Sequence, residues 1–295
     1  MAPVTKRMPL FQLPYLVLKA VSMHMNPVEI MRVSMCSKKA ESIMKTLKIN
    51  IHEQYLLDVH FRIRPQINFI NCRTQEKLLF ENLPLKSLAI LPSKIESVFE
   101  IFGRLKIEAT FLIDDYVYNE MVFEWAKAHR KLILNALIFD GITERMHRGE
   151  VVCELMGVLK NCKTLKIDLD FEFEFRGQLE VDELIVANDK WLTMSNLWKF
   201  QVKEIFIVCS ARNFNNMQIN RFMRTWQRGT RSNPYLRKIS FKSKAMHVHS
   251  ILHRMQFQEV DFRADTKTYQ VLNDVDGTEA YVTKESNKSV VNIIF

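Results

Sequence analysis

The chain has 295 residues, of which 47% are apolar and 25% charged, and its formal net charge is +9. These proportions exclude a disordered or collagen-like chain, and the length accommodates one large domain or two smaller ones. With only 7 glycines and 8 prolines, glycine-rich phosphate loops and long flexible linkers are not expected.

At the amino end, Lys6 and Arg7 precede an apolar stretch that Pro9, Gln12, Pro14 and Lys19 interrupt. Neither a signal peptide nor a membrane span is expected there. Leu16, Val17 and Val21 recur at helical spacing, with Leu18 broadening the stripe, so a helix should run from Pro14 to about Met25. Asn26-Pro27-Val28-Glu29 then starts a second helix: Asn26 can cap it, Pro27 suits its first turn, and Glu29 can return the capping bond. Ser37 is placed to cap a third helix that carries Ile43, Met44 and Leu47. Three short helices bury little surface, so this module needs a docked domain or a partner chain. Its first fifty residues hold eight Lys/Arg against Glu29 and Glu41.

Beyond residue 50 the pattern changes. Short pieces of leucine, two residues, then aliphatic-x-aliphatic recur at 85–90, 104–107, 134–139, 164–169, 181–186, 202–207 and 236–241. Their irregular spacing overlaps that of leucine-rich repeats. Helical stretches at 120–130 and 217–228 separate some of them, and repeated strand–helix units build a parallel sheet. Strand-like pieces at 268–272, 280–283 and 290–295, with turns between, point to a terminal β-meander.

Motifs that carry chemistry are absent. The sequence has no G-x-G-x-x-G, Walker loop, G-x-S-x-G or H-E-x-x-H. The carboxylate pairs Asp114/Asp115, Asp168/Asp170 and Glu172/Glu174 read as solvated edges. His247, His249 and His253 lie in a basic segment without a complementary ligand. Five cysteines, an odd number without a C-x-x-C pair, read as reduced thiols in the cytoplasm or nucleus. No catalytic residue, metal site or cofactor is expected.

Charge is segregated along the chain. No acidic residue lies between Glu204 and Glu259, while residues 212–254 hold ten Lys/Arg. Arg221, Arg224, Arg228 and Arg231 form a candidate basic patch for an acidic or phosphorylated protein segment. The alternative is a nucleic-acid-binding repeat protein that uses 212–254, with Phe214, Phe222, Trp226, Tyr235 and Phe241 interleaved among the cations. Against it, Phe222 and Trp226 fall at i,i+4 beside Met223, the spacing of a core face.

The pattern Met8-Pro9-Leu10-x-x-Leu13-Pro14-x-x-Val17-Leu18-x-x-Val21, followed by Met25-x-Pro27-x-Glu29-Ile30-x-x-Val33-Ser34 and Cys36-Ser37-Lys38, closely resembles an F-box. Met8 stands where that family usually has phenylalanine. The remainder resembles the type 2 F-box-associated region of the large nematode F-box family, through Asn220-x-Phe222-x-x-x-Trp226-x-x-Gly229 and Asn233-Pro234-x-Leu236-x-x-Ile239. The resemblance implies a substrate-recognition subunit of a Skp–cullin–F-box ubiquitin ligase. Its partners would be a Skp-family adaptor, through it a cullin, and a protein substrate; no membrane partner is implied. Adaptor contact would fall on Pro9, Leu10, Leu13, Pro14, Leu18, Val21, Met25, Pro27, Ile30 and Val33, some of which must instead form the module's own core. Trp191, Phe222, Trp226 and Gly229 are expected to be structural. The expectation is an α/β fold: a three-helix F-box at 8–50, then an F-box-associated domain at 51–295, an irregular leucine-rich-repeat-like strand/helix arc to about 260 ending in a β-meander.

Overall fold

The structure is a computed structural model that describes residues 10–62, 64–84, 87–113, 116–140, 148–209, 213–230, 233–243, 245–263, 266–285 and 289–295. The chain divides into two compact units, 1–110 and 111–295.

The first unit opens with a single 3-10 turn at Leu10–Gln12 and the helices α1 (Tyr15–Met23), α2 (Pro27–Met35) and α3 (Lys38–Leu47). Local chemistry sets their starts. The Asn26 N–H donates to Glu29 Oε2 at 2.8 Å, and the Glu29 N–H donates to Asn26 Oδ1 at 3.0 Å, a complete capping box with Pro27 in the first turn. Ser37 Oγ accepts from the Ala40 N–H at 3.1 Å and starts α3. Leu18, Val28, Ile30, Met31, Ala40, Met44 and Leu47 are buried and make the helical core.

These helices share their unit with three antiparallel strands and a fourth helix. The strands β1 (Tyr55–Phe61), β2 (Gln66–Asn71) and β3 (Lys77–Asn82) form a meander, followed by α4 (Leu91–Phe102). The helix α3 packs on α4, and α2 on β3. Lys45 on α3 bridges Glu41 on its own helix (2.8 Å) and Glu100 on α4 (2.7 Å). The strand expected at 85–90 is not formed by its described residues, since Ser87–Ile90 is a 3-10 turn leading into α4. An apolar run is ambiguous between strand and helix, and here Leu91, Ile95, Val98 and Phe102 recur at helical spacing and are all buried. The strand expected at 104–107 begins only at Ile107, as β4 (Ile107–Ile113).

The second unit alternates strand and helix as expected. After α5 (Tyr116–His129) come β5 (Ile133–Asp140), α6 (Arg148–Val158), β6 (Thr164–Asp168), β7 (Glu183–Val186), α7 (Met194–Lys199), β8 (Glu204–Val208), α8 (Asn216–Gln227) and β9 (Lys238–Lys242). Strands β5 to β9 are parallel and paired in sequence order. Their register aligns the aliphatic-x-aliphatic positions: Leu165 lies beside Leu184, Leu184 beside Ile205 and Ile205 beside Ile239. Ile167, Val186, Ile207 and Phe241 form the next row. Both rows are buried almost completely, so the repeating leucine pattern is the imprint of one inward face.

The short helix α9 (Val248–Ile251) and the strands β10 (Gln258–Arg263), β11 (Thr266–Leu272), β12 (Glu279–Glu285) and β13 (Val290–Ile294) complete the chain. The meander order β10-β11-β12-β13 pairs antiparallel to β9 through β13, where Phe241 faces Val291 and Ile239 faces Ile293. That pairing covers the β9 edge, which would otherwise present unpaired main-chain groups.

Candidate functional site

The expected adaptor residues separate into two groups. Leu18, Pro27 and Ile30 are buried within the helical unit. Pro14 and Val21 are exposed, and Leu10, Leu13, Met25 and Val33 are half-buried. Pro9 lies outside the described residues.

Burial inside α1 is confined to Leu18 and Ser22. Its other apolar side chains face outward: Leu16 is 76% exposed and Met23 69%, and Tyr15, Val17 and Val21 are exposed beside them. Five large apolar groups left exposed on a nine-residue helix are the kind of surface that marks an interaction site. Leu16 and Val17 were legible only as members of a helical stripe, and Tyr15 and Met23 carried no signal that would separate a partner-facing residue from a core one.

In the second unit, Arg221 and Arg228 are exposed and Arg224 is half-buried; Arg231 and Arg212 lie outside the described residues. Of the aromatic residues interleaved with these cations, Phe214, Phe222, Trp226 and Phe241 are buried, and only Tyr235 is exposed. Base stacking needs open ring faces, which the buried four do not offer. They pack instead: Phe222 stacks on Trp198 at 4.3 Å between ring centroids, and Trp226 meets Phe295 edge-on at 5.4 Å. Gly229 follows α8 with φ of +63°, and its N–H donates to the Trp226 carbonyl at 2.8 Å, the left-handed helix ending that glycine suits. Trp191 is buried and stacks on Phe173 at 5.2 Å.

A cavity of about 620 Å³ opens between α7 and α8. Trp198, Phe222 and Met194 give it apolar walls, and Gln218, Arg221 and Ser195 add polar ones.

Asp170 pairs with Lys190 at 2.6 Å, which together with Asn188 holds its carboxyl below the usual range. Glu174 pairs with Arg176 at 2.7 Å, and Asp114 and Asp115 lie outside the described residues. His247, His249 and His253 are exposed, and α9 ends at Ile251, so His249 and His253 do not share a helical face. Among the described residues no cluster of three or more potential metal ligands occurs. Burial pushes the Cys162 and Cys209 thiols up to about 12, which leaves neither a nucleophilic thiolate at neutral pH. Among the described residues no helix is long and apolar enough to cross a membrane.

Comparison with known families finds two matches. The model described as "F-box domain" matches residues 10–52, and the one described as "F-box associated" matches residues 160–241. The first span holds α1, α2 and α3; the second holds β6 to β8, α7, α8 and most of β9. No curated protein and no solved structure matches the chain.

Proposed function

We propose that this chain, which carries an F-box domain and an F-box-associated domain, is the substrate-recognition subunit of a Skp–cullin–F-box ubiquitin ligase. The F-box, taken as residues 8–50, docks a Skp-family adaptor and through it a cullin. Residues 51–295 hold a protein substrate. The pairing of these two domains is also the architecture of the nematode family that the sequence resembles.

The observation that carries the reading is the uncovered apolar face of α1. A patch of this kind is unfavourable in water by roughly 25 cal/mol for each Å² left open, and a second chain that covers it removes that cost. Pro14 and Val21 on this face, with the half-buried Leu10, Leu13, Met25 and Val33, are assigned to the adaptor contact. Leu18, Pro27 and Ile30 act through it, because they hold the helices that present it. Eight basic residues against two acidic ones in the first fifty favour an acidic partner.

Function by proximity needs no catalytic group. A substrate held near the ubiquitin donor reacts as though its concentration were raised. The reading places the chain in the cytoplasm or nucleus. Affinity purification of the full chain tests it: a Skp-family adaptor and a cullin should co-purify and should be lost together from a Leu16→Asp, Val17→Asp variant. Their absence from the wild-type purification would reject the proposal.

A further inference from the structure

We infer that the cavity between α7 and α8 is where the substrate docks, and that its occupant is an acidic peptide segment: an apolar side chain enters against Trp198 and Phe222 while neighbouring carboxylates lie along Arg221, Arg224 and Arg228. This rests on the receptor reading above and assigns its substrate a chemistry. The cavity lies wholly within the F-box-associated match, since its walls come from residues 193–225.

Three independent features converge on that occupant. The first is size and lining: about 620 Å³ with two stacked aromatic rings on one wall suits a large apolar side chain together with the backbone that carries it. The second is an orphan acceptor. Gln218 Oε1 is shielded from solvent and, among the described residues, has no hydrogen-bond partner. The nearby Asn213 cannot serve it, because its Nδ2 already donates to the carbonyls of Asp189 and Lys190 at 2.8 and 3.0 Å. A buried acceptor left unpaired is costly, and a peptide N–H would satisfy it once the Gln218 side chain turns toward the cavity it lines.

The third feature is charge. Arg221, Arg224 and Arg228 follow one another at helical spacings of three and four and so form a row. No ion pair engages them among the described residues, and no acidic residue lies between Glu204 and Glu259 in the sequence; Asp274 reaches the end of the helix, its N–H donating to the Gln227 carbonyl at 2.6 Å. At 1.5 Å per residue the row spans roughly 10 Å, about three residues of an extended peptide at 3.3 Å each. Only Arg221 reaches the cavity wall. A spread row of single cations matches successive carboxylates, whereas one phosphate would call for several donors converging at a point.

The test is a random-peptide display library panned on the full chain, followed by binding of the synthesised consensus peptide. Enrichment of peptides that place an aromatic or branched aliphatic residue beside two or more carboxylates is expected. Arg221→Glu, which reverses the charge at the wall, and Ser195→Arg, which fills the mouth from an exposed position, should each weaken the consensus peptide about tenfold or more, the scale of one hydrogen bond to a charged group. Adaptor binding by both variants should stay unchanged, and thermal unfolding matching that of wild type shows that the second unit, which carries both substitutions, is folded. No enrichment, enrichment without carboxylates, or equal binding by both variants would overturn the inference. So would a labelled poly-uridine strand that displaces the peptide and binds more tightly, because it would assign the arginine row to nucleic acid. Failure of the wild-type chain to bind the adaptor is a separate result, and it counts against the receptor reading alone.

Discussion

Trp198 on α7 and Phe222 on α8 lie face to face, with ring centroids 4.3 Å apart and planes 26° from parallel. Phe222 also meets Phe295 edge-on at 6.2 Å, so one buried ring ties a helix of the repeat region to the last residue of the chain. Phe222→Ala should therefore cost about 3–5 kcal/mol, the range for deleting a buried aromatic side chain. Phe222→Leu should cost less, because it keeps most of the volume. Urea denaturation followed by tryptophan fluorescence measures both; equal stability of wild type and Phe222→Ala would contradict this packing account.

Gly229 should not tolerate a side chain. Its φ of +63° is unfavourable for other residues, and an added Cβ would come within 2.3 Å of Val275 Cγ2. Gly229→Ala is expected to lose about 1–2 kcal/mol from the backbone alone and more from the contact. Because Val275 is largely exposed, a second change, Val275→Ala, should relieve the closest contact but not all of the clash, since the Val275 Cβ would still lie 2.8 Å from the added carbon. Thermal unfolding should place the double variant between Gly229→Ala and wild type.

Acid sensitivity should trace in part to Asp58. Its carboxylate is buried on β1, where Oδ2 lies 2.9 Å from His60 Nε2, 3.0 Å from Lys77 Nζ and 3.1 Å from Asn68 Nδ2. Burial opposes the charged form, but bonding from His60, Lys77 and Asn68 together outweighs it, and the carboxyl titrates below its ordinary value of 3.8. A depressed folded-state value stabilises the fold above 3.8, and that contribution disappears as pH falls through the lower value. Asp58→Asn should cost about 1.5–3 kcal/mol near neutrality, and its deficit relative to wild type should shrink only in the acid limb. A deficit independent of pH down to about pH 2 would contradict the assignment.

The thiols should react in order of exposure. Cys36 is exposed, whereas Cys162 and Cys209 are held protonated by burial, with values of about 12. With a limiting maleimide at neutral pH, mass spectrometry should find Cys36 labelled in the native chain. Cys162 and Cys209 should label only after unfolding.

Features set by local chemistry were readable from sequence. Asn26, Pro27, Glu29 and Ser37 start their helices as their side chains dictate, and Gly229 ends α8 because the helix ending needs a left-handed residue. The rows through Leu165, Leu184, Ile205 and Ile239 were visible because one buried face repeats in every strand. The meander β1–β3 was not visible, since Asp58 and Asn68 occupy buried positions that only pairing across strands makes tolerable. The 85–90 run was misread as a strand because an apolar run of that length suits a helix entry equally well. Trp198 drew no notice because its value lies in contact with Phe222, which sequence spacing cannot express. The outward turn of Leu16 and Met23 was likewise hidden: a stripe that awaits a partner and a stripe that faces a core are written with the same residues.

The central claim is that α1 exposes an apolar face for another chain to cover. Its most direct measurement is the dissociation constant of the purified full-length protein for a Skp-family adaptor, compared with that of Leu16→Asp. Leu16 is 76% exposed, so the substitution should leave folding intact while weakening adaptor binding by at least about tenfold, as expected for loss of an interface anchor. Wild-type affinity in a folded Leu16→Asp protein would contradict the account.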